Sequence, residues 1–301
     1  MHFPWHSLQR LASIGVVALV AWFTPEMTTW LSVVIGVAIG HYLLSLFYAK
    51  SQIARVCGNP RTLVPLVVVT LAAALSYAAN FSLLIVFGVH HVFNEVYLRD
   101  RALHLPDTSA ASRFRLASIV LNFFIYFAAV RHYPDLQFIP PAILFAGLIA
   151  AYCAFFATVI ALRQSLTPVR LVDACFFELF GLALIAFSFS APIRVFHVSL
   201  YHFVFWGIYP LSQMASRSRT EMWRYIALNI GATAAGIAIS PIGFLPFHFG
   251  MPLWIAQFRF VSFVHIFSSF AISRAHPQWI TRWFETRAEI ALQPVAVPSN
   301  S

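Results

Sequence analysis

The chain has 301 residues, 60% of them hydrophobic and 10% charged, with 19 Lys and Arg against 10 Asp and Glu. Soluble chains carry about 25% charged residues, so this one cannot cover a water-soluble domain of its size, and apolar runs of about 20 residues recur along its whole length. A soluble enzyme, a nucleic-acid-binding domain and a disulfide-stapled secreted scaffold are excluded; the excess of base reads as Arg and Lys gathered in cytoplasmic loops.

Charges, prolines and asparagines divide the chain into an all-α, polytopic transmembrane bundle of about ten spans: 8–23, 27–49, 62–78, 81–98, 114–132, 139–162, 169–190, 193–212, 222–240 and 251–273. The first apolar run, Leu11 to Phe23, has a weak basic lead-in and no small-residue cleavage site, and Pro25 and Glu26 end it. It reads as a short first span and not as a signal peptide. Residues 62–94 carry no charge and are too long for one ordinary helix, which predicts a hairpin at Ala79-Asn80. Residues 174–209 break at Ala191-Pro192, because a proline disfavours helix in the residue before it. Residues 1–292 form a single integral membrane domain and 293–301 a disordered tail. No internal repeat, linker or soluble domain is visible. Cys57, Cys153 and Cys175 have no C-x-x-C spacing, so neither a disulfide framework nor a zinc knuckle is legible.

Orientation checks these divisions independently. With the N-terminus inside, 16 of the 19 basic residues fall on inner segments, among them Arg10, Lys50, Arg99, Arg115, Arg170 and Arg219. The outer loops hold Arg131 and Arg194, and Arg259 lies within the last span. The pattern predicts a multi-pass protein of the cytoplasmic membrane with both termini cytoplasmic.

Ionisable residues inside spans are costly and are functional candidates. Six of the twelve histidines are intramembrane: His41, His90, His91, His197, His202 and His265. All lie on even-numbered spans that run from outside to inside. At 1.5 Å per residue, His41, His91, His202 and His265 fall within roughly 8 Å of one depth near the bilayer middle, with His197 about one turn higher. Four helices with imidazoles at one level is what a metal site in a helical bundle requires, and imidazole suits Fe, Zn or Cu. Asn94, Glu95 and Glu178 are the nearest polar groups to orient an imidazole.

Against this stands a blander reading, in which an intramembrane histidine simply hydrogen-bonds between helices. The rings of His90 and His91 diverge by about 100° on a helix, which predicts that one of the two faces the site. The phenylalanines are lipid-facing bulk or the walls of an apolar pocket. Trp22, Trp30, Trp254, Trp279 and Trp283 sit near predicted interfaces, as aromatic belts do. No P-loop, G-x-S-x-G, G-x-G-x-x-G or desaturase histidine box is present.

The stretch FELFGLALIAFSFSAPIRVFHVSLYHFVFW at 176–206, with GHYLL at His41, HHVFNE at His90 and FVHIFSSFAISRAH at His265, resembles the Brp/Blh family of membrane β-carotene 15,15′-dioxygenases. The chain departs from that pattern at Ser45, where the family has an acidic residue, and in the five-residue spacing of His197 and His202. The resemblance implies an iron (Fe2+) held by His41, His90 or His91, His197 and His202, with O2 as co-substrate.

The leading expectation is therefore an iron-dependent membrane oxygenase acting on a lipid-soluble polyene or isoprenoid that enters from the bilayer, with no nucleic-acid partner. Alternatives are a metal-dependent lipid hydrolase or desaturase, a transporter or proton-coupled permease with a histidine relay, and a non-catalytic scaffold subunit. No catalytic residue beyond the ligands, and no oligomeric state, is legible.

Overall fold

The computed structural model describes residues 5–23, 27–103, 105, 108–163, 166–215, 218–239 and 252–272. Among them are eleven α-helices and no strand: α1 (Trp5–Phe23), α2 (Met27–Tyr48), α3 (Lys50–Cys57), α4 (Pro60–Ala78), α5 (Leu83–Leu103), α6 (Ser109–Ala129), α7 (Pro141–Leu162), α8 (Pro168–Ser190), α9 (Val195–Ala215), α10 (Arg219–Ile239) and α11 (Leu253–Ile272). One 3₁₀ turn, Pro134–Leu136, lies between α6 and α7. The tail 293–301, His2, His104, His248, His276, Trp279 and Trp283 lie outside the described residues, as do the side chains of Trp30 and Trp254.

Local chemistry sets the helix ends. Asn80, at φ 54°, takes the left-handed conformation that Asn tolerates and closes the hairpin between α4 and α5. Asn59, Thr108 and Thr167 cap α4, α6 and α8 by accepting the N–H groups of Arg61, Ala111 and Arg170. Prolines 60, 141 and 168 occupy first turns, where the missing N–H costs nothing. Ala191 is extended ahead of Pro192, which separates α8 from α9.

Ten long helices thus lie where the sequence predicts spans. Five are long and apolar enough to cross a membrane: α1, α4, α6, α7 and α8. A sixth counts if α2 and α3, bent by 63°, are taken as one. Among the described residues, α9 and α11 contribute shorter apolar stretches, Val195–Leu211 and Ile255–Phe270, and α5 carries a cluster of charges.

Two features differ from the sequence expectation. Lys50–Cys57 was expected as loop and is helical. α5 runs on past the expected end of its span, so Arg99 is a helix residue, 1% exposed, and not a loop cation. Arg10, assigned to the inner flank, is likewise inside α1 and 1% exposed.

The four histidine helices are grouped centrally. α2 packs on α9 and α11, and α11 also packs on α5. Around them α10 covers α2, α4 covers α11, α1 lies against α9 and α8, and α6 joins α5 to α7 and α8. On α4, Val64, Val67, Val68, Leu71 and Leu75 are exposed, an apolar face suited to hydrocarbon. The α2–α10 contact is the most extensive and depends on small residues. A Cβ on Gly40 would stand 2.8 Å from Thr233 N, and one on Gly236 would fall on the Gly36 carbonyl oxygen. Such close backbone approach is how helices associate where hydrophobic burial offers little.

Candidate functional site

α2, α5, α9 and α11 bring five imidazoles together. His202 of α9 is central, with ring centres 5.1 Å from His90, 5.6 Å from His91 and 5.7 Å from His41. His265 of α11 closes the group, 5.0 Å from His41 and 5.5 Å from His90. His91 Nδ1 and His202 Nδ1 are 3.5 Å apart. His90, His91 and His202 are buried, whereas His41 and His265 are partly exposed, so the cluster is most accessible on its α2–α11 side.

Both members of the His90–His91 pair join the cluster, which corrects the expectation that only one would. Their rings diverge along α5, yet both stand within ring contact of His202, at 5.1 and 5.6 Å. His197, by contrast, is engaged at the head of its own helix, where its Nδ1 accepts the N–H of Arg194 at 3.1 Å. The described ring contacts join the other five. Five residues before His202, His197 is a turn and a half along α9 and faces elsewhere.

Neutral polar groups hold the imidazoles. Asn94 Nδ2 lies 3.0 Å from His90 Nε2 and bonds the His90 carbonyl at 2.9 Å, and Ser269 Oγ is 3.2 Å from His90 Nδ1. Ser45 Oγ is 3.4 Å from His265 Nδ1, on whose ring Tyr42 stacks at 4.4 Å. Phe87 stacks on His91 with its ring nearly parallel.

The acidic residues are used differently from the expectation. Glu95 is expected from its place beside His90 and His91 to orient an imidazole. Its carboxylate instead takes a 2.7 Å ion pair from Arg10, both side chains being buried. Glu178 binds Arg99 at 2.5 Å and accepts from Asn122 at 3.1 Å. Arg99 also donates to Ser118 at 2.7 Å. Asn94 alone of the three polar candidates contacts a cluster imidazole in these bonds. Arg10 had a signal in the sequence, since His6, Arg10 and Ser13 share one face of α1 at helical spacing. Tyr42, Ser45 and Ser269 carry no signal beyond adjacency to a histidine.

The donor set suits a metal in type. Two ring nitrogens on one tetrahedral ion at ~2.1 Å would stand roughly 3.4 Å apart, with ring centres roughly 5 Å apart, and the His91–His202 nitrogens and the ring spacings match this. His202 Nε2 is buried with no hydrogen-bond partner. Among the described residues, however, no group of three or more His, Cys, Asp or Glu side chains is placed to hold a metal ion. Family models, curated proteins and solved structures yield no match to this chain.

Proposed function

We propose that the protein is a ten-span membrane protein of the cytoplasmic membrane whose five-histidine core holds an iron ion, and that it is an oxygenase for a lipid-soluble polyene or isoprenoid substrate. The observation that carries the reading is the clustering of five imidazoles from four helices, with His202 at the centre, held by direct contacts to neutral polar and aromatic side chains. Neutral imidazoles are the cheapest strong metal ligands to hold away from water. When bound, iron with only histidine ligands would supply open positions for O2. His202, His91 and His90 would hold it from the buried side and His41 and His265 from the accessible side. Asn94 and Ser269 fix the His90 ring and Ser45 the His265 ring, as the outer hydrogen bonds of a metal site do. The apolar faces of Phe87 and Phe203 beside the rings suit a hydrocarbon substrate. A lipid-soluble molecule would approach from the α2–α11 side, where the cluster is least covered.

Metal analysis of gently purified protein tests this. About one iron per chain is expected, lost in His202→Ala and retained in His197→Ala, since the latter ring belongs to the head of α9. Iron-free protein with the five histidines intact, or full iron in His202→Ala, would overturn the reading. In that case proton flux in proteoliposomes would examine the runner-up, a permease in which the direct His91–His202 contact acts as a relay.

Reporter fusions test the span count and orientation. Fusions after Lys50, Arg113, Arg170 and Arg219 are expected to report cytoplasm, and fusions near Glu26, Pro140 and His248 the outside. An inverted result at Arg170 or Arg219 would reverse the direction of the histidine helices and defeat the topology.

A further inference from the structure

Beside the histidine core, toward the C-terminal end of α5, lies a second buried polar group that the metal reading leaves unused. Arg10, Glu95, Arg99 and Glu178, from α1, α5 and α8, are each 1–2% exposed. At one end this group reaches Asp100, 12% exposed, which binds Arg99 at 3.2 Å and also pairs with the half-exposed Arg115. At the other end it meets the histidines, because Glu95 is one helical turn from His91, and the Tyr201 ring is 5.9 Å from that of His91. Ion pairing satisfies these residues only in part. Arg10 Nε and Nη1, Arg99 Nε, Glu178 Oε2 and Asn122 Oδ1 have no hydrogen-bond partner. The same holds for both ring nitrogens of His6, which lies within electrostatic range of Arg10 and Arg99, and for His202 Nε2; the Tyr201 hydroxyl lies beside the Arg10–Glu95 pair.

Eight such atoms in one run are too many to leave bare, since each buried unsatisfied polar group costs about 1–3 kcal/mol. Their chemistry selects the ligand. An anion would satisfy the Arg10 and Arg99 donors and repel Glu178; a cation would do the reverse. The two arginines and two glutamates also cancel in charge. Water both donates and accepts, and ordered water is the usual partner of buried polar atoms that the chain leaves unpaired. On the far side of the histidines, Leu84, Phe87, Val130, Ile193 and Ile266 form a continuous apolar cluster, which offers water no continuation.

We propose that this run is a one-sided internal water tract, leading from the Asp100–Arg115 surface past Glu178, Arg99, His6 and Arg10 to the histidine core. It gives the core water, and the protons water carries, from one face of the membrane only. The inference rests on the charge geometry and the histidine cluster, and it stands or falls separately from the metal.

Hydroxyl-radical footprinting of the full chain in lipid nanodiscs, with radicals generated by X-ray pulses, tests it. Radicals made from internal water oxidise the side chains that touch it. Phe205 and Phe263 are both 0% exposed, but Phe205 packs on His6 and Arg10. Phe205 and Tyr201 are expected to oxidise at least about tenfold faster than Phe263 and Phe155, because only the former border water. In Arg99→Leu/Glu178→Leu, the Phe205 rate is expected to fall towards that of Phe263, with Phe263 and Phe155 unchanged as the sign of an intact fold. Equal rates for Phe205 and Phe263 in the unaltered protein would overturn the tract. Iron measured on the same sample separates the two outcomes, since loss of iron leaves the Phe205–Phe263 contrast untouched.

Discussion

Replacing Glu178 by leucine alone is expected to lower the stability of the folded protein by about 3–5 kcal/mol, while Arg99→Leu/Glu178→Leu regains most of that loss. Both side chains are 1% exposed and joined at 2.5 Å. Removal of the carboxylate leaves a guanidinium that cannot shed its proton with only the more exposed Asp100 to face it, at 3.2 Å, in a region walled by Phe114, over which it stacks at 4.4 Å, and by Ser118. Removing both charges takes away attraction and desolvation together, which is why buried pairs are often replaceable by apolar residues at little net cost. Denaturant titration of the single and double variants, with helical signal as readout, measures the cycle. If Glu178→Leu is as stable as the unaltered protein, or if the double variant is worse than the single, the pair is not the buried contact described.

The same reasoning alters what Glu95 does. Its carboxylate is held by Arg10, so Glu95→Gln acts first on the packing of α1 against α5, and on the histidines only through that packing. The distinction was hidden in the sequence because Arg10 reads as the basic flank of a first span. Recognising it as an inward-facing residue needs the periodicity of His6, Arg10 and Ser13, a weak signal in a helix whose other faces meet lipid. Arg99 was hidden for a related reason. Positive charge near a span end reads as an inner loop, yet α5 continues past it to Leu103, because Glu178 and Ser118 receive it inside the bundle.

What the sequence did carry was depth. Charges, prolines and asparagines placed the hairpin at Asn80 and the break at Pro192, and with those two positions fixed, the histidines of four helices fell at one level. Depth says nothing of azimuth, and that is where reasoning along the chain stopped. His197 is close enough in depth to His202 to look like its companion, but a turn and a half of helix directs it away. His90 and His91 differ by 100° in azimuth and nevertheless both meet His202, which arrives from another helix. Only the packing of α9 against α2 and α5 decides such matters. The α2–α10 contact was likewise invisible, although its glycines were in plain view, since nothing in Gly36 or Gly40 names the helix that approaches them.

That contact carries the second large effect. Gly236→Ala is expected to cost about 1–3 kcal/mol, the usual range for overpacking a well-filled contact, and to displace α2. The added methyl would fall on the carbonyl oxygen of Gly36 and stand 3.0 Å from Gly40 N. Backbone cannot rotate away as a side chain can, so the two helices must separate. His41 directly follows Gly40, and its ring contacts to His202 and His265 both cross from α2. The variant should therefore lose stability and, if the core holds iron, part of its iron as well. Gly231 lies on the same helix with nothing within 4 Å of an added Cβ, so Gly231→Ala, which also removes a flexible residue from a helix interior, is expected to be neutral or slightly stabilising. Unfolding midpoints and metal content of the two alanine variants, compared side by side, test the register of α2 on α10. Equal behaviour of Gly231→Ala and Gly236→Ala would mean that α10 does not meet α2 through Gly236, and that His41 is positioned by some other contact.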